Sequence, residues 1–97
     1  MTNTEEVALK SLAISKDSGF TSGIFYAGLI NIITVHGLDY KMDDSLKAAL
    51  YRLISKGYVT YNEEGGYLLT FEGREKVEKD FGNSVDIYRA IRKIKSE

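Results

Sequence analysis

The chain has 97 residues, enough for one domain with a single modest core. Hydrophobic residues make up 43% and charged residues 28%, an ordinary globular balance, and the formal net charge of -1 excludes a global basic field that would draw in nucleic acid unselectively. No cysteine occurs, which excludes disulfide frameworks and zinc-thiolate sites, and no proline, so turns must be made with glycine, asparagine and aspartate.

The start, Met1-Thr2-Asn3-Thr4-Glu5-Glu6, is acidic and lacks the basic end and apolar run of a secretory signal, so a cytoplasmic protein is expected. Thr4 is the expected cap of a first helix reaching about Lys16, with Ala8, Leu9, Leu12 and Ala13 on one face. Asp17-Ser18-Gly19 ends it. A second helix is expected from a cap at Thr21 or Ser22 to a stop at Gly37, apolar almost all round except for a stripe of Ala27, Asn31 and Thr34. The run falls short of the ~20 residues a bilayer needs and is interrupted by Asn31 and His36, so a helix buried on most sides is expected. One small core covers only part of such a helix, and the remainder points to a second copy of the protein.

A third helix is expected from about Asp44 to Lys56, capped by Asp43 or Asp44. Leu46, Ala49, Leu50, Leu53 and Ile54 form its apolar face, and Asp44, Ala48, Tyr51, Arg52 and Ser55 the other. Gly57 stops it. A strand from Tyr58 to Tyr61, a turn over Asn62-Glu63-Glu64-Gly65-Gly66 and a strand from Tyr67 to Leu69 make a hairpin. Thr70 caps a fourth helix, and Ser84 a last one with Ile87, Ala90, Ile91 and Ile94 on one side and Arg89, Arg92 and Lys93 on the other. Neither an internal repeat nor a low-complexity tract is present.

The stretch "LYRLISKGYVTYNEEGGYLLTFEGREKVEK", about a third of the chain, resembles the later half of small winged-helix transcriptional regulators of the MarR/PadR type and their archaeal relatives. Tyr67, Leu69, Thr70 and Gly73 match the family's aromatic-x-Leu-Thr-x-x-Gly signature position for position. The fold class is therefore expected to be mainly α with a two-stranded β-hairpin (α+β), a winged helix-turn-helix over residues 1–83, with an additional C-terminal helix over 84–97 as dimerisation element. The resemblance implies a sequence-specific double-stranded DNA-binding protein, a transcriptional regulator acting as a homodimer. The third helix would enter the major groove and the hairpin would be the wing.

On that reading Lys41, Ser45, Lys47, Ala48, Tyr51, Arg52, Ser55 and Lys56 face DNA, Tyr61, Asn62, Gly65, Gly66 and Tyr67 form the wing, and Ile87, Ala90, Ile91 and Ile94 form the dimer interface. Arginine suits guanine edges and tyrosine can donate to phosphate. The same residues also fit a solvated helix face. Three departures from the family stand out: a longer connection over Gly37 to Asp43, Glu63 and Glu64 at the wing tip, and Asp44 near the start of the recognition helix. Carboxylates repel phosphate. They favour the alternative from another class, a winged-helix protein-protein interaction module that does not bind DNA. A third option is a ligand-sensing regulator with a pocket between the second and last helices at the dimer interface. His36 is the one histidine and has no companions at metal-ligand spacing, and no catalytic grouping is visible, so no metal, cofactor, enzymatic activity or membrane association is expected.

Overall fold

The computed structural model describes residues 1–81. Among them, helix α1 spans Asn3–Asp17, α2 Tyr26–Val35, a single 3-10 turn Asp39–Lys41, α3 Leu46–Ser55, strands β1 Val59–Asn62 and β2 Gly66–Leu69, and α4 Phe71–Phe81. The protein is thus mainly helical with an antiparallel hairpin, as the sequence indicates. The boundary expected at residue 83 and the helix expected from Ser84, with Ile87, Ala90, Ile91 and Ile94, lie outside the described residues.

Helix α1 is the centre of the domain. Its cap is Thr2, not Thr4. The Thr2 hydroxyl accepts from the Glu5 N–H at 3.1 Å, and the Glu5 carboxylate accepts from the Thr2 N–H, closing a capping box. Thr4 lies inside the helix and is completely buried. Val7 and Ile14 are buried alongside the expected Ala8, Leu9, Leu12 and Ala13, because α2, α3, α4 and β2 all pack around α1. Burial therefore extends well beyond one face, and the polar Thr4, Glu5, Ser11 and Ser15 are carried inside with it.

Residues 21–25 do not begin the second helix. Ile24 forms a bridge to Tyr67 through two backbone bonds of 2.9 and 2.8 Å, so the hairpin gains a one-residue third partner. Gly23, at φ +119°, lets the chain approach the carbonyl of Gly65, a space that a side chain would fill. Helix α2 starts only at Tyr26, with Phe25 in the cap position and no side-chain cap bond. It is less buried than its composition predicts: Leu29 and Ile33 enter the core, Tyr26 and Ile32 are half-buried, and Ile30 and Val35 stand exposed. Ala27, Asn31 and Thr34 are exposed too, in the stripe expected for them. No helix among the described residues is long and apolar enough to cross a membrane.

Helix α3 is capped by Ser45, whose hydroxyl accepts from the Ala48 N–H at 3.3 Å; Asp43 and Asp44, the expected caps, are engaged by Thr4 instead. Leu46, Ala49, Leu50 and Leu53 are buried as expected, but Ile54, expected on the same face, is exposed, because it lies in the last turn where the face has rotated away from α1. The hairpin pairs Val59 with Leu69 and Tyr61 with Tyr67. Thr70 then caps α4 as read, accepting from the Gly73 N–H at 3.0 Å while its hydroxyl donates to the Gly57 carbonyl at 2.6 Å. Gly73 is buried, and a Cβ there would collide with the Tyr58 carbonyl oxygen. That close approach explains why a glycine follows the Thr cap by three residues. Gly73→Ala is expected to cost about 2 to 3 kcal/mol in a urea unfolding titration, because backbone, not a movable side chain, must give way.

Candidate nucleic-acid interface

The outward face of α3 is built by its register. With Leu46, Ala49, Leu50 and Leu53 directed at α1, the positions between them are directed outward: Lys47, Ala48, Tyr51 and Ser55 are exposed, Tyr51 at 73%. Ser45 is exposed as well, though its hydroxyl serves the helix cap. Lys47 reaches over the Tyr26 ring at the start of α2, 5.0 Å from its centroid. Lys41, on the 3-10 turn, stands exposed with its ammonium 5.8 Å from the Tyr40 ring.

Arg52 and Lys56 are placed differently. The Arg52 guanidinium donates to Glu5 at 3.2 Å, to Asp44 at 2.6 Å and to the Thr2 hydroxyl at 3.4 Å. Lys56 donates to the other Glu5 oxygen at 2.8 Å. Glu5 is thus a nearly buried carboxylate, 2% exposed, gripped by Arg52 of α3 and by Lys56 at its C-cap. Burial by itself would raise its carboxyl, but the hydrogen bonds from Lys56, Arg52 and the Thr2 backbone outweigh that and hold it at about 2. Asp44 is drawn below the usual carboxylate range by Thr4 and by Arg52. Two of the strongest sequence candidates for phosphate or base contact therefore have their charges engaged within the protein.

A second tie runs from the same turn of α1. The Thr4 hydroxyl accepts from the Asp43 N–H at 2.9 Å and the Asp44 N–H at 3.0 Å, and donates to the Asp43 carboxylate at 2.9 Å. Thr4 fixes the residues that lead into α3, and Glu5 fixes its C-terminal half. The orientation of the outward face is set from both ends by adjacent residues of α1.

Of the hairpin residues expected to form a wing, Tyr61 and Asn62 are exposed, and the Asn62 amide oxygen accepts from the Gly65 N–H to close the turn. Gly65, Gly66 and Tyr67 are turned inward against Ser22–Ile24: Gly66 is buried, at φ +85°, with no room for a side chain beside the Ile24 carbonyl. Tyr61 and Tyr67 are tilted ring partners, 4.8 Å between centroids. Burial first, then the neighbouring phenols of Tyr61 and Tyr26, raise Tyr67 above the ordinary tyrosine range. Glu63 and Glu64 are exposed at the tip.

Among the described residues no group of His, Asp and Glu side chains could hold a metal ion. His36 caps the end of α2, its Nδ1 within 2.9 Å of the Ile32 carbonyl. Comparison with protein-family models, with curated proteins and with solved structures returned no match. Thr4 and Glu5, the residues that position α3, and Tyr26 were not among the residues expected at this face. The Thr2-x-x-Glu5 spacing was a legible capping-box signal for the true start of α1. Nothing local marked Arg52, 47 residues away, as the partner of Glu5.

Proposed function

We propose that this chain is a winged helix-turn-helix protein that binds double-stranded DNA as a homodimer in the cytoplasm and regulates transcription by occupying or recruiting at a promoter, with no chemistry of its own. The observation that carries the reading is the outward face of α3, with Lys47, Ala48, Tyr51 and Ser55 exposed beside an antiparallel hairpin whose Tyr61 and Asn62 are also exposed. The element order supports the same fold: a helix, a bridging residue, two helices, a hairpin and a closing helix. Lys41 and Lys47 supply phosphate contacts, and Tyr51 and Ser55 reach base edges or phosphates. Arg52 and Lys56 act as positioning residues that hold α3 against α1.

Lys47→Ala tests this with little risk to the fold, since Lys47 is exposed and takes no part in the Glu5 cluster. In a fluorescence-anisotropy titration of duplex DNA at several salt concentrations, the variant is expected to bind more weakly on every sequence. Its slope of log affinity against log salt is expected to fall by about 1. An unchanged slope would remove Lys47 from the interface.

One observation favours the interaction-module reading. Glu5 and Asp44 neutralise Arg52 and Lys56, and Glu63 and Glu64 leave the hairpin tip acidic. On that reading Tyr51 anchors a protein partner, and duplex DNA is not bound even at low salt.

A further inference from the structure

The outward side of α3 carries more ring surface than positive charge. Of the cations on α3 and at its C-cap, Arg52 and Lys56 are bound to Glu5, Arg52 to Asp44 as well, and the Lys47 ammonium lies 5.0 Å from the centroid of the Tyr26 ring. The hairpin tip adds the exposed carboxylates of Glu63 and Glu64. Grip on a paired duplex grows with the number of phosphates neutralised, so charge alone gives this surface a weak hold on one.

The rings follow one another across the surface. Tyr51 and Lys47 are four residues apart on α3 and therefore neighbours on its outward face. Lys47 reaches Tyr26 at the start of α2. Two residues before Tyr26, Ile24 pairs through its backbone with Tyr67 of β2, and the Tyr67 ring meets that of Tyr61 across the hairpin, 4.8 Å between centroids. Tyr51 and Tyr61 are exposed, while Tyr26 and Tyr67 are half-buried and hold their neighbours in place.

An exposed tyrosine ring offers a face on which any base can stack. Bases inside a paired duplex are stacked on one another and present only their edges in the grooves. Rings with a lysine among them therefore suit a strand whose bases are unpaired: the ammonium meets phosphate and the phenol rings meet the bases. That lysine also favours a polyanion over an apolar protein segment as the occupant.

We infer that this row of tyrosines stacks unpaired bases, so that the chain holds a duplex interrupted by a short single-stranded stretch more tightly than a fully paired one. Tyr51 and Tyr61 take the bases, Lys47 takes a phosphate, and Tyr26 and Tyr67 brace Lys47 and Tyr61. The inference rests on the DNA-binding reading above and names the form of DNA that the face selects.

Two fluorescein-labelled duplexes of equal length test it, one fully paired and one with a short central run of mismatches. Each is titrated at low salt with wild type, Tyr51→Leu, Tyr61→Leu, Tyr51→Phe and Tyr61→Phe, following anisotropy. The mismatched duplex is expected to bind the wild type about tenfold more tightly than the paired one. Each leucine variant should lose about tenfold on the mismatched duplex, where a ring is missing, and no more than about threefold on the paired one, where at most a hydroxyl contact is missing. The phenylalanine variants keep the ring and should keep the preference. The chain has no tryptophan, so Tyr51→Trp adds a single reporter, whose emission should be quenched more by the mismatched duplex than by the paired one. Equal affinity of the wild type for the two duplexes, or leucine variants that lose equally on both, overturns the inference and leaves the DNA-binding reading standing. Binding of neither duplex removes that reading and the inference with it.

Discussion

Replacing Glu5 by glutamine is expected to destabilise the protein by about 2 kcal/mol near neutral pH and to flatten its acid unfolding profile. In the wild type the Glu5 carboxyl sits at about 2, against an ordinary 4.5. A depressed carboxyl contributes stability that is fully present above the unfolded value and is lost as pH falls toward the folded one. The window is therefore from about pH 5 down to about pH 2. The full difference corresponds to about 3 kcal/mol. Arg52 and Lys56 have side chains 37% and 46% exposed, so water screens part of it and about 2 kcal/mol is the better expectation. Urea titrations of wild type and Glu5→Gln at pH 7, 5, 4 and 3 measure it. The two curves should converge as the pH falls. Parallel curves would mean that Glu5 is not held by the two cations.

Thr4→Val is expected to cost about 2 to 3 kcal/mol, although valine has nearly the same shape. The hydroxyl it removes is completely buried and serves two backbone N–H groups, those of Asp43 and Asp44. Leaving a buried donor without a partner costs about 1 to 3 kcal/mol each, at the lower end where water can enter. The effect should also be local. Hydrogen exchange at Ala48 and Ala49, in the first turn of α3, should speed up more than at Leu9 and Leu12 in α1. A uniform loss of protection would mean that Thr4 supports the domain as a whole, not the entry to α3. With Glu5→Gln, this variant separates the two ties that set the outward face.

The hairpin was the most legible part of the fold. Its turn residues, its glycine stop at Gly57 and the Thr70 cap act within a few residues of one another, and local chemistry of that kind is written in the sequence. The ranking of helices by burial was not. Helix α2 has the more apolar composition yet lies at the side, while α1, with Thr4, Glu5, Ser11 and Ser15 among its buried residues, occupies the centre. Periodicity tells which face of a helix is apolar; the number of neighbours that surround it depends on topology. Ile24 escaped for a related reason. A single bridging residue has no period, and in the sequence it merges with the apolar run that follows. For the candidate site, the outward positions of α3 could be counted off from Leu46, Ala49, Leu50 and Leu53. That Arg52 and Lys56 are spent on Glu5 could not, because the partner arrives from the other end of the domain.

The functional reading depends on where duplex DNA touches the protein. The most direct measurement is a titration of the ¹⁵N-labelled protein with a short duplex at low salt, following each backbone amide by NMR. The largest shifts are expected on the outward residues of α3 and its cap, from Ser45 to Ser55, and on Tyr61 and Asn62 of the hairpin, while the amides of α4 stay in place. Shifts gathered elsewhere, or none at all with saturating duplex, would contradict it and leave the exposed face of α3 to a protein partner.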